Sequence, residues 1–325
     1  MIRVIKGLIR RIKKLGSKYR KILLGVFLVW GFLFLGLGAF IGSFFNKVYL
    51  DKFPDINKND KILIVAPHID DEVIGSGGLI QKALNIGAKV KIIYMTNGDN
   101  TLASVVAEEK NLRIDGGNFV ALGEERMKEG KNATAILGLK ENDLYFLGYP
   151  DRGLSQLFSN YYGSDKKYPA KGTKFTYNPY SGTYRTGQDY NGENLFNDLS
   201  LIINEFKPNI LIIPHSSDVH PDHKATYRFV DKYLTENNIK DKNVWMYLVH
   251  YKNYPTDKTG LLNKFLYPPQ RLFGKGGWFS LDLDSDEISI KLKAVDENKS
   301  QLVKVPAMDL RRFVKRNEIF EIHEL

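Results

Sequence analysis

The feature that most constrains the fold is a set of four short apolar runs: KILIVAP (61–67), KVKIIYMTNG (89–98), DLYFLGYP (143–150) and NILIIPH (209–215). Each is rich in Ile, Val, Leu or aromatic residues and stops at turn residues, the pattern of a fully buried strand. Gly75 to Gly87 separates the first two, and Glu124 to Gly138 precedes the third, each long enough for a crossover helix. Strands joined by crossover helices run parallel, and a parallel sheet needs helices on both faces. The expected body, residues 61–325, is therefore an α/β sandwich of three layers with a mostly parallel sheet. Sites in such sheets form at the carboxyl ends of the strands.

The residues at those ends carry chemistry. IVAPHIDDEVIGSGG (64–78) places His68, Asp70, Asp71 and Glu72 directly after the first strand, and His215, His220 and His223 follow the fourth. His250 and His323 read as scattered. If the two strands are neighbours, the clusters converge. Neutral imidazoles with one carboxylate suit zinc, and a catalytic zinc keeps three protein ligands and an open position for water. His68 and Asp71, three apart at a strand-to-helix turn, with His223 as third ligand, make such a set. Asp70 is then the candidate base for the bound water. Each piece has a plain alternative: Asp-Asp-Glu can cap a helix and offset its dipole, and HPDH can be a surface loop. Gly75, Gly77 and Gly78 do not match a dinucleotide fingerprint and are better explained by close packing of helix on sheet.

Ahead of the body, Ile22 to Phe45 is a 24-residue stretch without a charge. As a helix it would be about 36 Å long, enough for a hydrocarbon core of about 30 Å. Residues 1–21 hold nine of the 47 Lys and Arg, and no acidic residue occurs before Asp51. The expected topology is a basic cytoplasmic arm (1–21), a single transmembrane anchor (22–45), a tether (46–60) and a catalytic domain outside the cell membrane. A cleavable signal peptide is the alternative, though its apolar region is usually about 7–15 residues. The arm also has apolar residues at helical spacing, Ile5, Leu8, Ile9, Ile12 and Leu15, suited to an anionic lipid surface. Beyond it 38 basic residues face 37 acidic ones, so the high pI of 9.3 reflects the arm and nucleic acid is not an expected partner. There is no cysteine, which excludes disulfides and thiolate sites.

Leu154 to Gly192 breaks the strand-and-helix rhythm. It has seven tyrosines between Tyr161 and Tyr190 and few aliphatics. Tyrosines among small polar residues can stack on sugar rings; the alternative is a surface loop with no ligand.

PHIDDEVIGSGG resembles the PHPDDE signature of the PIG-L/LmbE-type de-N-acetylases, and VHPDHKAT (219–226) resembles their second motif. The likeness continues through TNG (96–98) and residues 125–154, and more weakly through 291–301 and 312–318. That resemblance implies a Rossmann-like fold with one zinc per chain, other divalent metals being possible. It implies His68, Asp71 and His223 as ligands and Asp70 as general base. It further implies that His220 stabilises the oxyanion or protonates the leaving amine, with Asp222 orienting it. Arg126, in an R-x-x-E pattern with Glu129, would face the substrate or pair with Glu129, and Asp151 of YPDRG would shape the pocket or cap a turn. The family's proline after the histidine is Ile69 here, a change expected to relax the turn.

The functional expectation is a membrane-anchored zinc deacetylase acting on an N-acetylated amino sugar in an envelope glycan or glycolipid. Two alternatives remain at this point: a non-catalytic glycan-binding protein on the same scaffold, and a zinc esterase for O-acetyl groups.

Overall fold

The computed structural model describes residues 25–26, 29–31, 50–100, 115–239, 243–257, 261–273, 277–302 and 309–324. The basic arm lies outside the described residues, as does nearly all of the expected anchor, where only 25–26 and 29–31 are described, as helix. Among the described residues no helix is long and apolar enough to cross a membrane. The body begins at Asp51.

The body is built on one eight-stranded sheet. In chain order the strands are β1 (Asp51–Lys52), β2 (Lys61–Ala66), β3 (Lys89–Thr96), β4 (Leu144–Tyr149), β5 (Ile210–Pro214), β6 (Asn243–Tyr247), β7 (Trp278–Asp282) and β8 (Asn317–Glu324). Their spatial order is β1-β7-β8-β6-β5-β2-β3-β4. All pairings are parallel except those of β8, which is antiparallel to β6 and β7. The four apolar runs are β2 to β5. Four further strands were not expected, and the edge strand β1 takes Asp51 and Lys52 out of the supposed tether. Phe53 follows them inward, with its ring against Trp245 at 4.8 Å and Phe320 at 5.3 Å.

Helices cover both faces, as a parallel sheet requires. One face carries α1 (Asp71–Asn85), α2 (Gly116–Ile136) and, packed against both, α6 (Ser285–Asp296). The other carries the single-turn α3 (Leu154–Leu157), α4 (Gly192–Phe206) and α5 (Pro221–Glu236), packed on one another. Side chains alternate along a strand, so Leu63 and Val65 enter the cluster of Leu195, Leu199, Ile202, Phe229 and Val230. Ile62 and Ile64, on the opposite face, are equally buried. At about 25 cal/mol per Å² of buried apolar surface, this two-sided burial explains why these strands read as continuous apolar runs.

The chain runs outward from β2 to β3 and β4, then returns to place β5 on the other side of β2. Ile62, Leu63 and Ile64 pair with Ile210, Leu211 and Ile212. The direction of winding therefore reverses between β2 and β5, and the two motif loops leave adjacent carboxyl ends at the crevice this creates.

The glycine-rich start of α1 is a packing device. A Cβ on Gly78 would meet Leu283 Cδ2 at 2.3 Å, and one on Gly75 would meet the Tyr247 ring at 2.7 Å. The room admits a buried ion pair. Lys291 Nζ, 2.5 Å from Glu318 Oε1, donates to the Ile74 carbonyl, while Glu318 accepts the N–H groups of Gly78 and Leu79 at 2.7 and 2.9 Å. Ile74 O and Gly78 N are groups of successive turns of α1, so the pair contacts the helix backbone directly.

The tyrosine-rich segment packs on the core, with three of its seven tyrosines buried. Tyr168, Tyr180 and Tyr190 are buried. Tyr190 donates its hydroxyl to the Gly148 carbonyl and Tyr180 to Asp99. The segment packs along β4 because its aromatic bodies exclude water there while the Tyr180 and Tyr190 hydroxyls find polar partners. Tyr177 alone of its seven tyrosines is exposed.

Candidate active site

Two loops bring the site together. After β2 the chain turns sharply into α1, and Asp70 sits at the turn with φ 124° and ψ −31°, a conformation costly for any residue but glycine. Asp70 is the N-cap by position, yet its side chain makes no capping hydrogen bond. Its peptide N–H is taken by Glu72 Oε2 at 3.0 Å, which assigns Glu72 to support of the helix start. Burial pushes the Glu72 carboxyl up to about 8. Ile69 does not leave the turn loose: it is fully buried and faces Gly130 of α2, where an added Cβ would meet it at 2.7 Å. Packing thus holds what a proline would have held.

After β5 the loop ends in α5, with His220 as N-cap and Pro221 at the first helical position, where its missing N–H costs nothing. His220 Nδ1 accepts the Asp222 N–H at 3.3 Å. His223, one turn in, is fully buried.

The structure brings His68, Asp71 and His223 together on one oxygen. Asp71 Oδ2 lies 3.2 Å from His68 Nδ1 and 3.1 Å from His223 Nε2; within 4.8 Å, Asp71 groups with His223 and His250, and His68 with His220 and His223. Ligands at about 2.0–2.1 Å around a tetrahedral ion stand about 3.3 Å apart, which the two separations from Asp71 match. Neither ring nitrogen of His223 makes an aligned hydrogen bond, although both are buried and carboxylate oxygens lie 3.1 Å away. A buried imidazole left off the hydrogen-bond line to its carboxylates is what a metal ligand looks like without its ion. Burial alone would raise the Asp71 carboxyl, but His223 and His68 hold it well below the usual range, the ionised form a ligand needs.

Around this trio lie the supporting groups. Asp218, fully buried, places Oδ2 at 3.1 Å from His223 Nδ1 and accepts the His220 and His250 N–H groups at 2.9 Å each. It is the carboxylate that fixes the ring of a metal-binding histidine. Sequence reasoning missed it; its signal was the acid two positions before His220 in SSDVHPDH. His68 Nε2 faces Asp151 Oδ1 and Asp222 Oδ2, each at 3.3 Å. Asp222 therefore does not turn its carboxylate to His220: the two oxygens meet His68 and the N–H groups of Arg152 and Leu154. Asp151, likewise, faces His68 and the Asn100 N–H at 3.0 Å.

Arg126 comes from the middle of α2 and reaches Asp70 Oδ2 at 3.2 Å, the Gly98 carbonyl at 2.9 Å and the Ile69 carbonyl. It does not pair with Glu129, which instead accepts from the Ser300 N–H and hydroxyl at 2.7 and 2.6 Å. Gly98, with φ 65°, is obligatory there, since a Cβ would stand 2.1 Å from Arg126 Nη1. Burial pushes Asp70 up to about 7 against the pull of Arg126, close to the value that serves a general base at neutral pH.

His215 lies apart, stacked on Trp278 at 5.2 Å with Nε2 on Glu321, and ties β5 to β7 and β8. His250, which read as scattered, stands at the end of β6 with its ring 4.6 Å from His223 and 5.0 Å from His220. The side chain of His323 is not among those described. A cavity of about 240 Å³ opens over the site, lined by His68, Asp70, Asp71, Arg126, Asp151, Arg152, His220 and His250, with Phe313, Leu310 and Ile74 on its apolar side.

A two-imidazole, one-carboxylate donor set beside a buried base, in the crevice of an open α/β sheet, defines the class as metal-dependent hydrolase. The chain belongs to the GlcNAc-PI de-N-acetylase (PIG-L) family, whose sequence model matches residues 63–234, a family of metal-dependent deacetylases that act on N-acetyl amides. It is 37% identical over 91 residues to 1D-myo-inositol 2-acetamido-2-deoxy-alpha-D-glucopyranoside deacetylase 2 of Saccharopolyspora erythraea, covering 28% of this chain and 31% of that protein. The match thus spans about a third of the curated relative's length. The fold is that of N,N'-diacetylchitobiose deacetylase from Pyrococcus horikoshii: 20% identity, TM-score 0.51, 82% of this chain and 85% of the other. It is also that of the zinc-inhibited form of teicoplanin deacetylase, with 18% identity, TM-score 0.50 and coverage of 80% and 97%.

Proposed function

We propose that this chain is a membrane-anchored, metal-dependent deacetylase that hydrolyses the N-acetyl group of an amino sugar in a cell-envelope glycan or glycolipid. The observation that carries the reading is the convergence of His68, Asp71 and His223 on one point, with Asp70 beside it held by Arg126. Zinc is the metal that this donor set fits best, with iron or manganese accepted by the same residues. The relatives named above act, by their names, on acetylated sugars or glycopeptides, which supports the substrate class.

Held by His68, Asp71 and His223, the ion would supply a Lewis acid that activates water and polarises the acetamide carbonyl. The chain's residues do the rest. Asp70 takes the proton of the attacking water. Arg126 keeps that carboxylate ionised and aimed by bonding the carbonyls on either side of it. His220 accepts at Nδ1 from the Asp222 N–H, so its proton is on Nε2 and the ring lining the cavity presents a donor to the developing oxyanion. Asp151 and Asp222 hold His68, and Asp218 holds His223.

The anchor and the outward-facing domain rest on the uncharged run at 22–45 and the basic residues before it. They point to an envelope substrate over a soluble one, and protease accessibility of the body on intact cells tests them.

The decisive experiment measures acetate released by the zinc-loaded protein from N-acetylglucosamine-containing glycolipids and oligosaccharides, with O-acetylated sugars in parallel. Release from N-acetyl substrates, abolished in Asp70→Asn, is expected. Release from O-acetyl substrates alone would make the protein an esterase, and no release from either, with wild type and Asp70→Asn indistinguishable, would end the enzymatic reading.

A further inference from the structure

Four imidazoles meet at the site, and three of them have fixed partners. His68 is held by Asp71, Asp151 and Asp222. His223 lies between Asp71 and Asp218. His220 accepts the Asp222 N–H. The fourth, His250, is held by its backbone N–H, which donates to Asp218 at 2.9 Å, and by packing of its ring on His223 and His220. Among the described residues its ring makes no hydrogen bond, and the ring lines the cavity.

Its position relative to the donor set is specific. One nitrogen of His250 shares a 4.8 Å group with Asp71 and His223, while His220 shares another with His68 and His223. The two rings stand side by side next to His223, their centroids 5.0 Å apart. No His250 nitrogen comes within 4.0 Å of Asp71, unlike those of His68 and His223, whereas ligands of one tetrahedral ion would be about 3.3 Å apart. His250 therefore stands further from Asp71 than His68 and His223 do, at the edge of the donor set. It is at the distance of a group that contacts what the ion binds.

We infer that His250 is a further catalytic residue, whose ring hydrogen-bonds the acetyl group of the substrate beside His220. This rests on the proposed deacetylase reading and adds a second donor to it. The fold supplies the reason for its placement. Asp218 accepts the N–H groups of His220, Val249 and His250, so one carboxylate fixes the backbone of both neighbouring histidines and lies against the ring of His223. The His250 carbonyl accepts the Val219 N–H at 2.8 Å, so the backbone on both sides is set while the ring nitrogens keep their hydrogen-bonding capacity.

The test compares wild type, His250→Ala and His250→Gln, each loaded with zinc, by three measurements: kcat/KM on an N-acetylglucosamine oligosaccharide, zinc affinity by chelator competition, and acetate binding by calorimetry. The expected result for His250→Ala is a loss of about 100-fold in kcat/KM, in the range of a lost oxyanion donor, with acetate affinity reduced about tenfold and zinc affinity within threefold of wild type. His250→Gln, which retains a donor, should recover part of both losses. A parallel fall in zinc affinity would make His250 a ligand and overturn the inference. Unchanged kcat/KM together with unchanged acetate binding would overturn it equally. If wild type proved inactive on every acetylated sugar, the deacetylase reading would fail, and acetate affinity would still decide the contact.

Discussion

Asp70 Oδ2 lies 3.2 Å from Arg126 Nη2, and the same guanidinium bonds the carbonyls of Ile69 and Gly98. The base is therefore aimed from outside its own loop, by a residue on α2, while the backbone at Asp70 is held at φ 124°. Burial raises the Asp70 carboxyl and Arg126 opposes that rise. Replacing Arg126 by leucine removes the opposing charge, so the carboxyl takes a proton at higher pH. The acid limb of the kcat/KM profile of Arg126→Leu is expected to move to higher pH, with activity on the acid side falling about tenfold for each pH unit of movement. Rate profiles of the two proteins check it; an unmoved limb would separate Arg126 from the base.

Asp218 is 3.1 Å from His223 Nδ1 and is the sole carboxylate on that side of the ring among the described residues. Loss of such a partner typically weakens metal binding about 10–100-fold. Asp218→Asn should show that loss in chelator competition, and the metal-free protein should also melt somewhat lower, because the His220 N–H bonds one carboxylate oxygen and the Val249 and His250 N–H groups the other, and an amide accepts on one side only.

The ion pair between α6 and β8 that meets the backbone of α1 makes a stability prediction. Lys291 and Glu318 are fully buried, so Lys291→Met leaves a carboxylate without its cation and should cost about 3–5 kcal/mol. Lys291→Met with Glu318→Gln should recover much of the loss, since no charge remains buried. Denaturant titrations of the single and double variants measure the difference.

Much of this was legible in the sequence, and the parts that were not share a cause. β2, β3 and β5 announced themselves because both faces of a central parallel strand are apolar, and β4, at the sheet edge, because the tyrosine-rich segment and β3 cover it. β8, at NEIFEIHE, did not: it alternates charged and apolar residues, runs antiparallel, and is recognisable only beside β6 and β7. The site histidines after β2 and β5 were found through their strands. His250 was missed because β6 was not read, so nothing marked the residue after YLV as lying at a strand end. Asp218 was missed for lack of any pattern beyond proximity to His220. The tyrosine-rich segment was misjudged because the partners of its hydroxyls, Asp99 and the Gly148 carbonyl, are distant in sequence.

Asp99 links that segment to the site and gives a pH-dependent stability. It is buried, accepts the Tyr180 hydroxyl, and receives the Asp151 N–H at 3.4 Å. Burial, with the charge of Asp151, pushes its carboxyl up to about 7, and the Tyr180 bond only partly opposes this. In the unfolded chain the group ionises near its ordinary value of about 3.9. Between those values the folded protein holds a proton that the unfolded chain has released, so stability from this residue is present at acid pH and declines as pH rises toward 7. Asp99→Asn cannot ionise and lacks that decline. Relative to wild type, the variant should gain on the order of 1–3 kcal/mol between pH 5 and pH 8, measured by denaturant unfolding at both values; parallel behaviour of the two proteins would mean that Asp99 is already ionised in the fold at pH 5.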